Sequence, residues 1–425
     1  MSSTASLPSE FKGLGLQDIP RSCLSMVLGK SKGDWSNLPA ELLDAILRQV
    51  FLLPDYIRFG AVCKSWRSIM VDQKPQRIAS IHKQPPMLLI AKQHDYFHNA
   101  PNSISFKLYS IVEDKVYDPK IHVPCFPSCI DFSSSHGWLI LFVGFYGWLK
   151  LVNPFTRKMM KIPCNKSCDF TKVILSCDPT TYPNDFVLAA VSGVACGSLS
   201  QILAFIKVGE KSWTFLANPK FPRDEIRDLI FHQGLFYVLL ERNQLVAIDY
   251  KGDGLATIVE ILPECTTLRQ PDLFDGRFHK GSRKLSTGRY LANASNGDLL
   301  FFERIRRVSK KNRNKVSWIF DVYKLSEQAS RWVDITELEN NDSIFWAMHP
   351  DTGNCISVVS VPYHSNPNSI FVTHRLGQKR KQEDLLMLGS QESIGVFSMK
   401  DETFLSDLQT DFNGDVIVWI TPTLQ

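Results

Sequence analysis

The sequence predicts a multi-domain chain, in which a small α-helical module near the N-terminus precedes a large all-β domain. Two observations predict this division. Between residues 36 and 70 the apolar residues recur at steps of three and four, the period of an amphipathic helix. Beyond residue 80, short runs rich in Val, Ile, Phe, Tyr and Trp alternate with Gly, Asn, Asp and Pro turns, as in β-strands. With 425 residues, the chain is long enough for two or more such units.

The helical module is expected to contain three short helices. Pro39 and Glu41 suit the start of the first helix, because Pro39 has a helical φ and Glu41 faces the positive end of the helix dipole. Leu53-Pro54-Asp55 then breaks the chain and starts a second helix. Each half has one apolar face, formed by Leu42, Leu43, Ile46, Leu47 and Val50 in the first and by Tyr56, Phe59, Cys63, Trp66 and Met70 in the second.

The module has more apolar surface than its own interior can bury. Three short helices within about 35 residues enclose little volume. Part of the apolar surface is therefore expected to contact a partner. The residues concerned are Leu38, Leu42, Leu43, Ile46, Leu47, Val62 and Trp66.

Two phrases in this region carry a family resemblance. Leu38-Pro-x-Glu-Leu-Leu-x-x-Ile-Leu47 followed by Phe59-x-x-Val-Cys-Lys-x-Trp-Arg67 resembles the F-box, which docks substrate receptors onto the Skp-type adaptor of cullin-RING (SCF) ubiquitin ligases. The resemblance covers residues 35 to 70 without a gap. It implies an adaptor-binding face formed by Leu38, Pro39, Leu42, Leu43, Ile46, Leu47, Val62, Cys63 and Trp66. A three-helix cap packed on its own domain is the alternative.

The all-β part consists of repeated strand pairs. Trp138 to Val152 is predicted to be a buried hairpin, and the same plan recurs from Asp228 to Tyr250 and from Arg289 to Ile335. Units that recur at the length of four-stranded blades favour a β-propeller of six or seven blades. A β-sandwich remains an alternative, because regular spacing alone does not exclude it.

A second resemblance lies in the same region. Gly137-Trp-Leu, Leu151-Val-Asn-Pro-Phe-Thr-Arg157, Phe320-Asp-Val-Tyr-Lys-Leu325 and Ile394-Gly-Val-Phe397 are similar to phrases of plant F-box proteins with a C-terminal KIB-type β-propeller. The implied organisation is a flexible leader at 1–33, an F-box at 34–72, a linker at 73–84 and the propeller at 85–421. The chain departs from the family at Asp342 to His349, where the family has small residues and glycines, so that a blade edge or pocket is expected to differ there.

Several candidate sites have plainer structural explanations. Asn153-Pro154 is expected to form a turn, with Phe155 in the core and Arg157 bonded to carbonyls across blades, rather than a ligand site. Cys63 is interpreted as a small buried hydrophobe instead of a nucleophile. The Cys-x3-Cys pairs at 125/129 and 164/168 lack a histidine at a matching spacing, so no metal or cofactor is expected.

Charge and hydropathy limit the classes of partner and the compartment that the sequence is compatible with. The net charge of +5 is modest and argues little for nucleic acid. No apolar run reaches the roughly 20 residues that span a bilayer, so no membrane partner is expected. The N-terminus lacks the apolar core of a signal peptide, and ten cysteines then imply a reducing compartment, the nucleus or the cytoplasm. Two acid-free basic segments, 304–315 and 375–381, are interpreted as solvated loops, with nuclear import or phosphate contact as the alternative.

The sequence thus predicts a binding protein and no enzyme. No phosphate-binding loop and no nucleophile motif is present, although sequence alone does not reveal a pair of carboxylates in a propeller channel. The expected function is substrate recognition in an SCF ligase, with a cullin bound through the adaptor and an unknown target protein held by the propeller. The alternatives are a scaffold outside a ligase and an enzyme that carries an F-box. Propeller loops vary freely, so the target is not readable from the sequence.

Overall fold

The protein is represented by a computed structural model, and the chain divides into two compact units. One comprises Met1–Gln84 with Pro422–Gln425, and the other comprises Pro85–Thr421. The structure describes residues 35–50, 53–73, 84–94, 103–124, 130–143, 148–164, 170–192, 201–216, 226–241, 244–252, 254–262, 282–309, 316–326, 331–348, 355–375, 392–409 and 416–422. The predicted leader at 1–33 lies outside these residues.

The described part of the first unit contains the three predicted helices, α1 (Ala40–Gln49), α2 (Leu53–Gly60) and α3 (Lys64–Asp72), after a 3-10 turn at Trp35–Asn37. Pro39 is the N-cap of α1, and its carbonyl accepts hydrogen bonds from the amides of Leu42 and Leu43, both at 3.1 Å. A proline suits this position because it needs no amide partner of its own.

The apolar faces of the three helices meet in one small core. The rings of Phe59 and Trp66 lie 4.4 Å apart, and Trp66 Nε1 donates a hydrogen bond to the Trp35 carbonyl at 2.9 Å. Tyr56 donates its hydroxyl to the Met70 carbonyl and so ties α2 to α3. The buried members of this core are Leu38, Leu43, Leu47, Val50, Tyr56, Phe59 and Trp66.

The second unit is all-β, and its described strands form six sheets. The first sheet contains β1 (Met87–His94), β2 (Ser103–Ser110), β3 (Lys115–Tyr117), β4 (His122–Pro124) and the last strand, β26 (Val416–Ile420). The second contains β5 (Ile130–Ser135), β6 (Trp138–Val143), β7 (Trp148–Val152) and β8 (Met159–Pro163). The third contains β9 (Phe170–Leu175), β10 (Val187–Ser192), β11 (Ile202–Lys207) and β12 (Thr214–Leu216).

The remaining sheets follow in chain order. The fourth contains β13 (Ile226–His232), β14 (Leu235–Leu240), β15 (Leu245–Tyr250) and β16 (Ala256–Leu262). The fifth contains β17 (Ser282–Asn293), β18 (Leu299–Ser309), β19 (Val316–Ser326) and β20 (Arg331–Ile335). The sixth contains β21 (Asp342–Met348), β22 (Cys355–Pro362), β23 (Ser369–Arg375), β24 (Glu392–Ser398) and β25 (Thr403–Gln409).

One strand of each sheet lies next to the corresponding strands of its two neighbours. These inner strands follow one another in the order β26, β5, β9, β13, β17 and β22, and β22 again contacts β26. The sheets therefore form a closed ring and are the blades of a six-bladed β-propeller, numbered 1 to 6 here. The predicted propeller is confirmed, and the open question of six or seven blades is decided for six.

The core of the propeller lies between neighbouring blades. Among the residues that the structure describes, the buried ones form six separate clusters, and each cluster combines side chains from two adjacent blades. Between blades 5 and 6, for example, the ring of Trp346 contacts the rings of Tyr290, Phe302 and Phe320 at 4.5 to 5.8 Å. Because each blade face is covered by the next blade, the strands have near-continuous apolar runs.

The ring is closed by strands from the two ends of the propeller chain. β26 pairs antiparallel with β1 and completes blade 1. Trp419 on β26 is fully buried. Its backbone N–H donates to Ser357 Oγ of blade 6 at 3.0 Å, and its carbonyl accepts from Ser134 Oγ of blade 2 at 2.9 Å. The backbone of one residue thus links blade 1 to both neighbours.

Blade 6 has an arrangement that the sequence analysis did not anticipate. Its order is β22-β21-β23-β24-β25, and β21 pairs parallel with β23. β21 begins the segment at which the chain departs from its family, and the described part of this segment lies second from the inside of the blade, not at an edge. Asp342 is buried and accepts hydrogen bonds from Ser295 N at 2.7 Å, Ser295 Oγ at 2.6 Å and Ser360 Oγ at 3.0 Å.

Candidate functional site

The helical module divides the nine predicted docking residues into two groups. Four of them, Leu38, Leu43, Leu47 and Trp66, are buried in the core of the module itself. These four side chains are therefore not available to a partner at the surface of the module. The residues that remain available at its surface are Pro39 and Val62, which are exposed, and Leu42, Ile46 and Cys63, which are partly buried.

Two further apolar residues of the module are exposed. Ile57 on α2 and Val71 on α3 are 55% and 54% exposed, more than Val62 at 42%. The sequence analysis missed both, because they lie off the stripes that mark the core. Both residues could have been found from the sequence, because each is a β-branched apolar residue at a position where the helical period predicts a polar one. With Val62, and with the partly buried Leu42 and Ile46, they are apolar side chains that the module does not bury fully, and exposed apolar side chains of this kind are what a partner covers.

Polar side chains make hydrogen bonds within and between the helices of the module. Asp44 on α1 accepts from Arg48 Nε at 2.8 Å and from Gln73 Nε2, which follows α3. Asp55 accepts from Arg58 Nη1 at 2.7 Å within α2. The contact between Asp44 and Gln73 links α1 to the end of α3, and the other two contacts lie within single helices.

The propeller has a buried ion pair on its inner strands. Lys172 on β9 donates to Asp228 Oδ1 on β13, and the two side chains are 10% and 0% exposed. Asp228 also accepts from its neighbour Leu229 N at 2.9 Å and from Leu291 N on β17 at 2.7 Å. The carboxylate of Asp228 on blade 4 therefore connects this blade to blades 3 and 5.

The same cluster includes a thiol that is poorly suited to nucleophilic chemistry. Burial raises the pKa of Cys355, on the inner strand β22, to about 12, so that it stays protonated at neutral pH. Burial, the largest single effect, lowers the pKa of Lys172, but the contacts with Asp228 and Cys355 together outweigh it, so that the pKa is raised. Within the described residues, no three His, Cys, Asp or Glu side chains are grouped as a metal site would require.

The Asn153 turn supports the structural interpretation. Asn153 is fully buried, and its Oδ1 accepts from the amides of Phe155 and Thr156, both at 3.0 Å. Phe155 packs against the core between blades 1 and 2, as expected. Arg157 differs from the expectation, since its side chain is exposed and its φ of +62° places it in a left-handed turn.

The two basic segments are not simply loops. Residues 304–309 belong to β18, and Arg375 ends β23, so the prediction of a loop is wrong for these residues. The pattern was misread because alternating basic and apolar residues are compatible with a strand that has one polar face. Residues 310–315 and 376–381 lie outside the described part of the chain, as do Cys125, Cys129 and Cys168. No helix in the described part is both long and apolar enough to cross a membrane.

Family models match both units of the chain. The KIB1-4 beta-propeller model matches residues 108–398, and the F-box-like model matches residues 35–74. Both resemblances stated for the sequence are thereby confirmed.

Relatives from Arabidopsis thaliana agree with these matches. The "Probable F-box protein At1g65740" is 25% identical over 384 residues, which cover 83% of this chain and 92% of the relative. F-box protein SKIP23 is 25% identical over 366 residues, covering 75% of this chain and 81% of the relative. Since the propeller model alone spans more than half of the sequence, the chain belongs to the KIB1-4 β-propeller family, as a plant F-box protein.

Proposed function

We propose that this protein is the substrate-recognition subunit of an SCF E3 ubiquitin ligase. In this proposal the F-box binds a Skp-type adaptor, the adaptor binds a cullin, and the propeller holds the target protein. The observation that carries the proposal is the apolar surface of a module that already has a closed core. Leu42 and Ile46 are only partly buried, and Val62 is exposed, on a three-helix unit that matches the F-box-like model.

The protein itself would perform no bond chemistry. Ubiquitin transfer needs a target lysine close to a charged conjugating enzyme, and a receptor that binds both sides raises the effective concentration of that lysine. The geometry of the propeller supports this role. The carboxylate of Asp228 on the inner strands is already committed to Lys172 and two backbone amides, which leaves it no free role as an acid or base.

The adaptor contact can be tested without unfolding the module. The double variant Leu42→Ala/Val62→Ala removes the exposed Val62 side chain and the partly buried Leu42 side chain, and it leaves the seven buried core residues intact. We expect adaptor binding to weaken by about 2 to 4 kcal/mol, if these residues are hot spots. Isothermal titration calorimetry of the full chain with a plant Skp-type adaptor measures this change.

A matched control comes from the outer edge of blade 4. Leu255 and Val259 are 64% and 56% exposed, and the variant Leu255→Ala/Val259→Ala makes the same chemical changes outside the F-box. This control is expected to bind the adaptor like the wild type. Equal affinity of the wild type and the Leu42→Ala/Val62→Ala variant would remove the docking proposal.

A further inference from the structure

Blades 2 and 3 enclose a cleft of about 480 Å³. It is lined by residues 160–163 of β8, the outer strand of blade 2, and by residues 206–211, where β11 ends and turns toward β12 in blade 3. The volume lies within the range of about 300 to 1,000 Å³ that is usual for binding sites. The cleft is therefore large enough to hold a side chain of a partner.

The lining of the cleft is largely apolar. Ile162 and Ile206 are buried in the core between blades 2 and 3. Met160 and Val208 pack against the same core but are only partly buried. An apolar group that enters the cleft would remove more of these two side chains from water, which is favourable. The cleft thus suits one apolar side chain of a ligand.

Hydrogen bonds hold the blade 3 side of the cleft in place. Glu210 Oε2 accepts from the backbone N–H of Lys207 at 2.7 Å and from the hydroxyl of Tyr250 on blade 4 at 2.8 Å. The backbone N–H of Glu210 donates to the Lys207 carbonyl at 3.0 Å, and that of Val208 donates to the Phe186 carbonyl at 2.9 Å. A cleft that is already formed has less conformational entropy to lose when a ligand binds.

The backbone of β8 offers hydrogen-bonding groups at the edge of blade 2. The N–H of Asn153 donates to the Lys158 carbonyl at 2.9 Å in the turn between β7 and β8. Pairs that exchange hydrogen bonds recur at every second residue of an antiparallel ladder, here at Met160 and Ile162. Lys161 lies between these two residues, so its N–H and C=O point away from β7.

A bond from blade 3 supports this orientation. Trp213 Nε1 donates to the carbonyl of Pro163 at 2.7 Å, and Pro163 has the same place in the ladder alternation as Lys161. Within the described part of the chain, the N–H and C=O of Lys161 have no hydrogen-bond partner. An outward N–H and C=O on one residue are the groups with which an added strand pairs.

The charge beside the cleft is positive. Lys207 pairs with Asp185 at 2.8 Å, and the carboxylate of Glu210 accepts the hydrogen bonds of the turn. Lys161 and Lys211 are exposed, and neither forms an ion pair with a carboxylate of the described residues. Acidic residues of a ligand would therefore find two cations that have no counter-charge within the described structure.

We propose that an extended segment of the target polypeptide binds along β8, with one apolar side chain in the cleft and acidic residues on both sides of it. The segment would exchange backbone hydrogen bonds with Lys161. Successive side chains of a strand alternate in direction, so the residues next to the apolar one lie on the same side of the sheet as the Lys161 side chain. The inference rests on the proposed function, because it assigns this segment to the target that the propeller holds.

The probe is the fluorescein-labelled peptide Gly-Ser-Glu-Glu-Leu-Glu-Glu-Ser-Gly, measured by fluorescence polarisation with the full chain at low salt, where charge attraction is least screened. A control peptide has Ser in place of Leu and is otherwise identical. We expect the Leu peptide to bind at least about tenfold more tightly, because its leucine side chain is buried in the cleft. Equal affinity of the two peptides, or no binding of either, would overturn the proposal.

Two variants at one position separate the backbone from the charge. Lys161→Ser removes the ammonium group and keeps the N–H, so the affinity for the Leu peptide should fall about two- to threefold. Lys161→Pro also removes the outward N–H, and its ring obstructs the added strand, so the affinity should fall at least about tenfold. Proline is tolerated at an edge position whose N–H the sheet does not use, and circular dichroism checks the fold of both variants. Equal affinity of the two variants would contradict strand addition.

A modified peptide makes the same test without changing the protein. The Leu peptide with N-methyl groups on the Leu and on all Glu residues lacks the donors of an added strand, and it is expected to bind the wild type at least about tenfold more weakly. If Lys161→Pro does not fold, unchanged binding of the N-methylated peptide would equally contradict the proposal.

A small amphipathic anion is the competing occupant of the cleft. Displacement of the labelled peptide by octanoate at a lower concentration than by the unlabelled peptide would overturn the proposal in favour of a small-molecule site. Adaptor binding on the same samples separates this inference from the proposed function. Lys161→Pro leaves the F-box unchanged and should bind the adaptor like the wild type. Loss of peptide binding alone counts against the cleft, and loss of adaptor binding alone counts against the proposed function.

Discussion

The Asp228 carboxylate shows at the scale of one residue why the inner strands of the propeller carry polar groups. It accepts from Lys172 of blade 3 and from the amide of Leu291 of blade 5. Burying two charges is costly, and it is tolerated only when every remaining hydrogen-bonding position is used. The pair supports stability below the pKa of an unfolded lysine, and this support is lost as pH rises through the raised pKa of Lys172.

Removing one partner of this pair should be far worse than removing both. In Asp228→Asn the Lys172 ammonium remains buried without a counter-charge, and we expect a loss of about 3 to 5 kcal/mol in the free energy of unfolding. In Lys172→Met/Asp228→Asn the charge is gone and an amide oxygen still accepts from the backbone, so most of the loss should be recovered. Urea denaturation followed by circular dichroism measures both, and a double variant no more stable than Asp228→Asn would contradict this account.

At the scale of single elements, the short strand β26 closes the ring of blades. Its five residues supply the inner strand of blade 1, and Val418, Trp419 and Ile420 are fully buried. A blade without its inner strand exposes the apolar faces of both neighbours. The closure of the ring therefore depends on a segment at the end of the propeller sequence.

A truncated chain tests this closure. A chain that ends after Asn413 lacks β26, and its thermal midpoint is expected to fall by at least about 10 °C, because several fully buried side chains are lost. A chain that ends after Thr421 keeps β26 and serves as the matched control. Equal melting of the two truncated chains by circular dichroism would show that β26 does not close the propeller.

Some of these elements could be predicted from the sequence, and others could not. The three helices and the β13 to β15 strands follow from local periodicity, which residues within a few positions determine. The order of blade 6 and the parallel pairing of β21 with β23 were not predicted, because strand order depends on contacts between distant residues. Periodicity likewise placed Leu43 and Leu42 on one stripe, but it could not tell that the first is buried in the module while the second is partly exposed.

At the scale of the whole molecule, the chain combines two units with different surfaces. The F-box presents apolar side chains on a closed core, whereas the described strands of the propeller bury their apolar side chains between neighbouring blades. An apolar adaptor contact is expected to respond little to salt, since screening acts on contacts between charges. Such a division suits a receptor whose adaptor stays the same while its targets vary. A scaffold outside a ligase would need the first contact but no cullin.

The most direct measurement is therefore whether a cullin is recruited. The full chain, co-expressed with a plant Skp-type adaptor and a cullin, would be purified by an affinity tag on the chain and analysed by size exclusion with multi-angle light scattering. The account predicts one peak with the summed mass of the three proteins, which is lost in Leu42→Ala/Val62→Ala and kept in Leu255→Ala/Val259→Ala. A complex of the chain with the adaptor alone, under conditions in which adaptor and cullin do associate, would contradict the proposed role in a ubiquitin ligase.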